Sequence, residues 1–308
     1  MKVIFMGTPD FSVGALEEII KAGHEVTLVV TQPDKPKGRS GELQFSPVKE
    51  CALKYNIPVF QPKKIKTEEA IAELKKYEAD IFVVAAFGQI VSKEILDMPK
   101  YGCVNIHASL LPKYRGAAPI NQCIIDGEKE TGVTIMQMDV GVDTGDILAK
   151  TVVEIAAKEN AGTLFDKLSI AGAKLIVETL PKIEKGEIKP VKQEESKATH
   201  VRMMDKALGN IDWTMSAEKI ERLIRGLNPW PSAYTKANGK NLKIWDADVV
   251  NGEGKPGEII EVTKDFFTVA TGDRALKINE LQLEGKKRMD TKSFLLGNQW
   301  KKGMALGE

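Results

Sequence analysis

The first half of the chain alternates short apolar runs with stretches in which apolar residues recur at helical spacing. Residues 2–6 and 24–31 are apolar runs, and residues 11–22 between them have the helical pattern. A strand, a helix and a strand in this order form a unit whose two strands are parallel. The same patterns predict helices at 46–55, 67–76 and 162–183, and strands at 81–86, 104–107, 131–138 and 147–155. We therefore expect an α/β domain on a mostly parallel sheet, with the last two strands as antiparallel edge strands.

The last third of the chain has a different pattern. A helical stretch at 216–226 is followed by short runs separated by Gly and Asn-Gly turns, which predict strands at 232–236, 242–249, 257–261, 266–270 and 275–283. Several short strands in about a hundred residues are typical of a small β-barrel of the oligonucleotide-binding type. A polar, charged stretch separates the two patterns, so we predict domains at 1–189 and 206–308 joined by a linker at 190–205.

Composition and charge exclude several classes of protein. The 308 residues carry a net charge of +1, which argues against a protein that coats nucleic acid through bulk charge. Residues 201–308 have a net charge of +3, so a local nucleic-acid surface is sought there. The 3 cysteines lack the spacing of a disulfide framework or a metal site. No signal peptide or long apolar run is evident, and we expect a cytoplasmic, monomeric protein without a membrane segment.

The turn after the first strand does not have the pattern of a nucleotide site. Residues 7–14 contain no G-x-G-x-x-G, and no acidic residue closes the second predicted strand. Both features are needed for the dinucleotide fingerprint. A Walker sequence is also missing from the chain. These observations argue against nicotinamide chemistry and against phosphoryl transfer.

A candidate catalytic pair lies at the end of the predicted strand 104–107. Asn105 and His107 are two residues apart, so their side chains point to the same side of the sheet. Ends of parallel strands are where α/β sheets bind ligands. A single histidine is usually structural, and we interpret His24 and His200 in that way. The amide beside His107 favours a catalytic function there.

A second candidate cluster lies at 138–146, where Asp139, Asp143 and Asp146 accompany two glycines. A charged surface turn and a calcium loop are the alternatives. The spacing and the final Glu of an EF-hand loop are missing, which argues against calcium. A tightly turned loop that holds one carboxylate near a histidine fits the sequence better.

These clusters resemble the signature of the formyltetrahydrofolate-dependent formyltransferases. The matching residues are Asn105-x-His107, the stretch SLLPxYRG at 109–116 and GVDTG at 141–145. MGTPxFS at 6–12, IDW at 211–213 and NPWP at 228–231 are similar to the members that act on methionyl initiator tRNA. The resemblance extends over essentially the whole chain. It implies an N-terminal Rossmann-like domain and a C-terminal β-barrel that binds tRNA.

The resemblance also implies an activity and a catalytic trio. The formyl group of 10-formyltetrahydrofolate would pass to the amino group of methionyl initiator tRNA, for translation initiation, without a metal. Asn105, His107 and Asp143 match the family's catalytic residues. Acyl transfer to an amine creates an oxyanion that needs fixed donors, which Asn105 and His107 can supply. It also needs a group that moves protons, for which Asp143 is the candidate.

Two further regions are implied to bind substrates. The family's folate-contacting segment matches Ser109, Leu110, Leu111 and Pro112, and we predict that Phe87, Gly88, Gln89 and Ile90 line the pterin pocket. The long loop 32–45 resembles the insertion that enters the tRNA acceptor stem, with Lys35, Lys37 and Arg39 as tRNA contacts. Residues 40–43 are less basic than in many members of the family.

Three other functions share some of these features. A transferase that formylates a small amine would have the same trio, but it would not need the C-terminal barrel or the loop 32–45. A hydrolase that releases formate would also have the trio. A nucleic-acid-binding module on a degenerate scaffold is the alternative from a different class, and the complete trio argues against it.

Overall fold

The computed structural model describes residues 1–36 and 43–307. These residues form two compact units. The first unit comprises Met1–Pro119, Glu130–Glu154 and Phe165–Val201, and the second comprises Ile120–Lys129, Ile155–Leu164 and the rest of the chain from Arg202. Residues 190–201, which the sequence predicts to begin a linker, lie in the first unit because strand pairing and side-chain hydrogen bonds hold them there.

The helices and strands follow one another closely along the chain. The strands are β1 (Lys2–Gly7), β2 (Glu25–Val30), β3 (Lys35–Pro36), β4 (Leu43–Gln44), β5 (Val59–Phe60), β6 (Ile81–Ala85), β7 (Cys103–His107), β8 (Arg115–Gly116), β9 (Glu130–Gln137), β10 (Ile147–Glu154), β11 (His200–Val201), β12 (Ala233–Ala237), β13 (Lys240–Val250), β14 (Ile259–Val262), β15 (Phe267–Ala270), β16 (Ala275–Leu283) and β17 (Met289–Asp290). The helices are α1 (Asp10–Lys21), α2 (Pro47–Lys54), α3 (Glu68–Leu74), α4 (Lys93–Leu96), α5 (Pro119–Asp126), α6 (Ala161–Glu184), α7 (Ala217–Gly226) and α8 (Thr291–Leu296).

The first unit contains a sheet in the order β10-β9-β7-β6-β1-β2-β5. Its strands from β7 to β5 are parallel, as predicted, whereas β9 is antiparallel to both of its neighbours. Residues 3–6 of β1 and all of β6 are apolar because they are buried in the middle of the sheet. Strand β10 lies at the edge and β9 lies inside it, so one strand of the predicted edge pair is internal.

Local sequence signals explain where several helices begin. Ser46 accepts a hydrogen bond from the backbone N–H of Lys49, and Pro47 occupies the first position of α2. Thr67 caps α3 in the same way through Ala70. Helices α4 and α8 are missing from the sequence-based prediction because they have only 4 and 6 residues, too few to establish a helical period. Helix α5 has 8 residues, as α2 does, and is also missing from the prediction, because Ala118 precedes it where α2 and α3 have a capping Ser or Thr.

The second unit contains an antiparallel sheet in the order β12-β13-β16-β15-β14, with β17 paired to β16. Two register shifts in β13, on either side of Asp246, bend this sheet. Its inner face and the apolar face of α7 form one core that includes Trp213, Ile220 and Phe267. The predicted fold class, a Rossmann-like α/β domain followed by a small β domain, is confirmed.

The predicted loop 32–45 contains a short antiparallel pairing at its base. Lys35 lies opposite Gln44, and β3 and β4 are joined by residues 37–42, which lie outside the described residues. Asp34 anchors the base through an ion pair with Lys49 at 2.5 Å and a hydrogen bond from Gln61 at 2.8 Å. The hydrogen bond from Lys49, and to a smaller extent the one from Gln61, lowers the pKa of Asp34.

In the described ranges, no helix combines the length and apolar character needed to cross a bilayer.

Gly132 in β9 has no room for a side chain. A Cβ there would lie 2.0 Å from the carbonyl oxygen of Thr151 and 2.6 Å from Leu110. We expect Gly132→Ala to push β10 away from β9 and to lower the free energy of unfolding by about 1–3 kcal/mol, the usual cost of overpacking. Chemical denaturation at equilibrium measures this change.

Gly14→Ala is the matched control. A Cβ at Gly14, in α1, meets ordinary contacts at 3.6 and 3.7 Å. Because alanine favours a helix over glycine, this change is expected to stabilise the protein by about 0.5–1 kcal/mol. Similar effects from both substitutions would contradict the account of Gly132.

Candidate active site

The structure brings the three predicted catalytic side chains together. Asn105 and His107 project from the same face of β7, and Asp143 belongs to the loop between β9 and β10. Asn105 Nδ2 lies 3.4 Å from Asp143 Oδ1, and His107 Nδ1 lies 3.6 Å from Asp143 Oδ2. Both distances leave one carboxylate shared between an amide and an imidazole.

The imidazole of His107 is fixed by a backbone carbonyl. Its Nε2 lies 2.9 Å from the backbone oxygen of Tyr114, and His107 is buried. A carbonyl accepts hydrogen bonds and cannot donate one, so Nε2 carries the proton in this contact. The Nε2–H therefore donates to Tyr114, and Nδ1 is the ring nitrogen that faces Asp143.

The Asp143 loop has a backbone that few residues adopt. Asp143 has a φ of 55°, in the left-handed region, and its Oδ2 accepts a hydrogen bond from the backbone N–H of Gly116 at 2.8 Å. A Cβ at Gly145 would lie 1.6 Å from the carbonyl oxygen of Gln137, so only glycine fits there. Asp139 closes the start of the loop by accepting hydrogen bonds from Gly141 and Thr144.

Gln193 contacts this loop and Arg115 contacts Gln193, although the sequence alone predicts no role for either residue. Gln193 Nε2 donates to the carbonyl oxygens of Asp143 and Gly145, at 2.8 Å each. Arg115 donates to Gln193 Oε1 at 3.1 Å. Arg115 lies in the SLLPxYRG stretch, whose match to the family motif could have marked it as a site residue. Gln193 lies in a polar stretch with no distinguishing pattern.

The predicted folate segment 109–112 is fastened to β9. The Thr134 hydroxyl donates to the carbonyl oxygen of Ser109 at 2.7 Å and accepts from the N–H of Leu111 at 3.1 Å. Ser109 and Leu111 are buried, while Leu110 and Pro112 are half-buried. Of the four, Leu110 and Pro112 thus present side chains that a ligand could contact.

The second predicted folate segment follows β6, the parallel neighbour of β7. The carbonyl oxygen of Phe87 accepts from Gln32 Nε2 at 3.1 Å, and the Gln89 side chain bonds the backbone of residues 62 and 65. Gly88 has a φ of 79°, which turns the chain there. Phe87 is buried and Ile90 is 77% exposed, so Ile90 is the side chain that is open to a ligand.

The predicted tRNA contacts are placed only in part. Lys35 lies on β3 and is exposed, whereas Lys37 and Arg39 are outside the described residues. The catalytic trio and both predicted folate segments lie in the first unit.

Within 1–36 and 43–307, no group of His, Cys, Asp and Glu is arranged to hold a metal ion. Cys103 and Cys51 are unfavourable as nucleophiles, because burial raises the pKa of Cys103 to about 12 and that of Cys51 to about 11.

Family models match both halves of the chain. The model described as "Formyl transferase" matches residues 1–180, and "Formyl transferase, C-terminal domain" matches residues 203–299. The chain therefore belongs to the formyl transferase family.

Similar proteins narrow this assignment. The methionyl-tRNA formyltransferase of Agathobacter rectalis is 61% identical over 299 residues, 96% of either chain, and that of Lachnospira eligens is 56% identical over the full length of both chains. Within the family, the chain belongs with the methionyl-tRNA formyltransferases. A solved N-formyltransferase from Helicobacter canadensis, in complex with folinic acid and dTDP-3-aminofucose, has the same fold, with a TM-score of 0.68 and 21% identity over 94% of this chain and 100% of that one.

The geometry predicts different effects at two aspartates of one loop. Asp143→Asn keeps the size of the side chain but removes the charge between Asn105 and His107. We expect kcat to fall by about 10²–10⁴-fold, as for the loss of an acid–base group. Steady-state formylation of charged tRNA measures the change.

Asp139→Asn is the matched control. Its side-chain oxygen can still accept from Gly141 and Thr144, so we expect kcat within about twofold of the unmodified protein. Equal losses in the two variants would mean that any change in this loop disrupts it, and the specific role of Asp143 would be refuted.

Proposed function

We propose that this protein transfers the formyl group of 10-formyltetrahydrofolate to the α-amino group of methionyl initiator tRNA, in the cytoplasm. The observation that carries this proposal is the single carboxylate of Asp143 shared by Asn105 and His107 on one face of β7. Family membership supports the reaction, since the most similar relatives reported above are methionyl-tRNA formyltransferases.

In the proposed mechanism, the amino nitrogen attacks the formyl carbon. A carbon–nitrogen bond forms, and the formyl oxygen takes the electron pair as an oxyanion. The Asn105 amide has a second N–H beside the one that faces Asp143, and this N–H is the donor that stabilises the oxyanion. The half-buried position of Asn105 leaves that donor accessible.

Proton transfer accompanies the attack and the collapse. The amine loses a proton to the carboxylate of Asp143, and the bond from the formyl carbon to folate N10 breaks as N10 receives a proton from the same group. His107 stabilises Asp143 in its charged form through Nδ1 when that nitrogen is protonated, while Nε2–H donates to Tyr114. No covalent enzyme intermediate is needed.

The folate would bind between the two segments that flank the trio. Leu110 and Pro112 from one segment and Ile90 from the other offer apolar surface to a pterin ring. A solved relative of the same fold contains folinic acid, which supports a folate as the formyl donor.

We propose that the tRNA contacts Lys35, Lys37 and Arg39 and the second unit, whose long C-terminal stretch carries a net positive charge. One chain holds the whole trio, and we propose a monomer, which sedimentation of the purified protein tests.

An acceptor competition assay tests the reaction itself. The protein is incubated with 10-formyltetrahydrofolate, charged initiator tRNA and free methionine in water. The expected product is formylmethionyl-tRNA with little formylmethionine or free formate. Formate as the main product would indicate a hydrolase, and formylation of free methionine at a comparable rate would indicate a transferase for small amines. Either result contradicts the proposal.

Arg39→Ala tests the proposed tRNA contacts. A guanidinium can make paired hydrogen bonds to a phosphate or a base edge. We expect kcat/KM for charged tRNA to fall by about 10–100-fold, which corresponds to about 1–3 kcal/mol, with an unchanged Kd for folate. Lys93→Ala, which removes an exposed cation that pairs with Asp97 in the same unit, is the control and is expected to change neither value. Equal losses in tRNA kinetics and folate binding would contradict the proposed contact.

A further inference from the structure

A buried arginine, Arg115, bonds the glutamine that contacts the Asp143 loop. The side chain of Arg115 is only 2% exposed, and a buried cation is costly unless its N–H groups are paired. Its Nε donates to Gln193 Oε1 at 3.1 Å, and its terminal nitrogens donate to the two carboxylate oxygens of Glu195 at 3.0 and 2.9 Å. The paired contact with Glu195 fixes the plane of the guanidinium.

Gln193 connects this arginine to the catalytic loop. Its amide nitrogen donates to the carbonyl oxygens of Asp143 and Gly145, and its amide oxygen accepts from Arg115. Turning the amide over would place its oxygen against two carbonyl oxygens and its nitrogen against an N–H. Because Arg115 can only donate, it selects the orientation in which Gln193 donates to the loop.

The loop needs such support because its backbone is unfavourable. A φ of 55° at Asp143 is costly for a residue with a side chain and persists only where the surroundings hold it. The two bonds from Gln193 act on the carbonyl groups of Asp143 itself and of Gly145, two residues on. They therefore act on the backbone that directs the Asp143 carboxylate.

We propose that Gln193 is a positioning residue for catalysis, held in its working orientation by Arg115. It fixes the backbone of Asp143 so that the carboxylate stays beside Asn105 and His107. The inference rests on the proposed catalytic role of Asp143. It gives Gln193 a function at the active site, in a segment whose sequence is typical of a linker.

Thr199, six residues after Gln193, holds Tyr114, whose carbonyl oxygen accepts the hydrogen bond from the imidazole. The N–H of Tyr114 donates to the Thr199 hydroxyl at 2.8 Å, and the N–H of Arg115 donates to the Thr199 carbonyl at 2.8 Å. Tyr114 is the residue whose carbonyl oxygen faces His107 Nε2. Both partners of the imidazole are thus held from this stretch of the chain, Asp143 by Gln193 and Tyr114 by Thr199.

Gln193→Glu is the sharpest test. A carboxylate still accepts from Arg115, so the fold keeps its partner for the buried cation, but it has no N–H for the loop and repels the two carbonyl oxygens. We expect kcat to fall by about 10–100-fold, as for a catalytic group displaced by a fraction of an ångström to an ångström, with KM for both substrates within about twofold. The thermal midpoint is expected to stay close to that of the unmodified protein.

Glu194→Gln is the matched control in the same segment. Glu194 is exposed and pairs with Lys197 and Ser196. We expect its kcat and KM to be unchanged. Normal kcat in Gln193→Glu would overturn the inference, and so would a rise in KM alone or a loss of kcat matched by the same loss in Glu194→Gln.

Gln193→Met supplies a second, uncharged variant if the glutamate variant does not fold. In an Asp143→Asn background, Gln193→Met is expected to cause no further loss of residual turnover, because no carboxylate remains to be positioned. A full additional loss would assign Gln193 to the fold and overturn the inference. Full turnover of Asp143→Asn alone would remove both the proposed catalytic role and this one, whereas inactive Asp143→Asn with normal Gln193→Glu would remove only the positioning role.

Discussion

The carboxylate of Asp143 is the constraint on which the rest of the active site depends. It must accept from the backbone of Gly116 on one side and lie beside Asn105 and His107 on the other. Reaching this position requires a left-handed backbone at Asp143 and the absence of a side chain at Gly145. Local strain of this kind at a functional group is maintained by the surrounding hydrogen bonds rather than by the loop alone.

The sheet explains how that loop reaches the site. Strand β9 is antiparallel to β7 and pairs its last residue, Gln137, with Val104, so the loop leaves β9 at the amino-terminal end of β7. It then folds back along β7 until Asp143 lies over Asn105 and His107. The general expectation that ligands bind at the carboxyl ends of parallel strands places Asn105 and His107, but it does not place Asp143.

Much of the fold could be predicted because its signals are local. The apolar runs of β1 and β6 and the Ser46–Pro47 start of α2 each depend on neighbouring residues. The pairing of Asn105 with His107 followed from the period of a strand, whereas Asp143 required a resemblance to a known family. Gln193 carries no signal, because its contacts with Asp143 and Gly145 span about fifty residues and depend on tertiary packing.

The active site depends on one orientation of His107, in which the Nε2–H donates to the carbonyl oxygen of Tyr114 and Nδ1 faces Asp143. Nitrogen NMR of the imidazole rings tests it most directly, since the chain has only 3 histidines and His107→Gln identifies the relevant signals. We expect Nε2 of His107 to bear a proton, and we expect Asp143→Asn to shift the signal of Nδ1 more than that of Nε2. A neutral ring protonated on Nδ1, with Nε2 bare and Nδ1 insensitive to Asp143→Asn, would contradict the account.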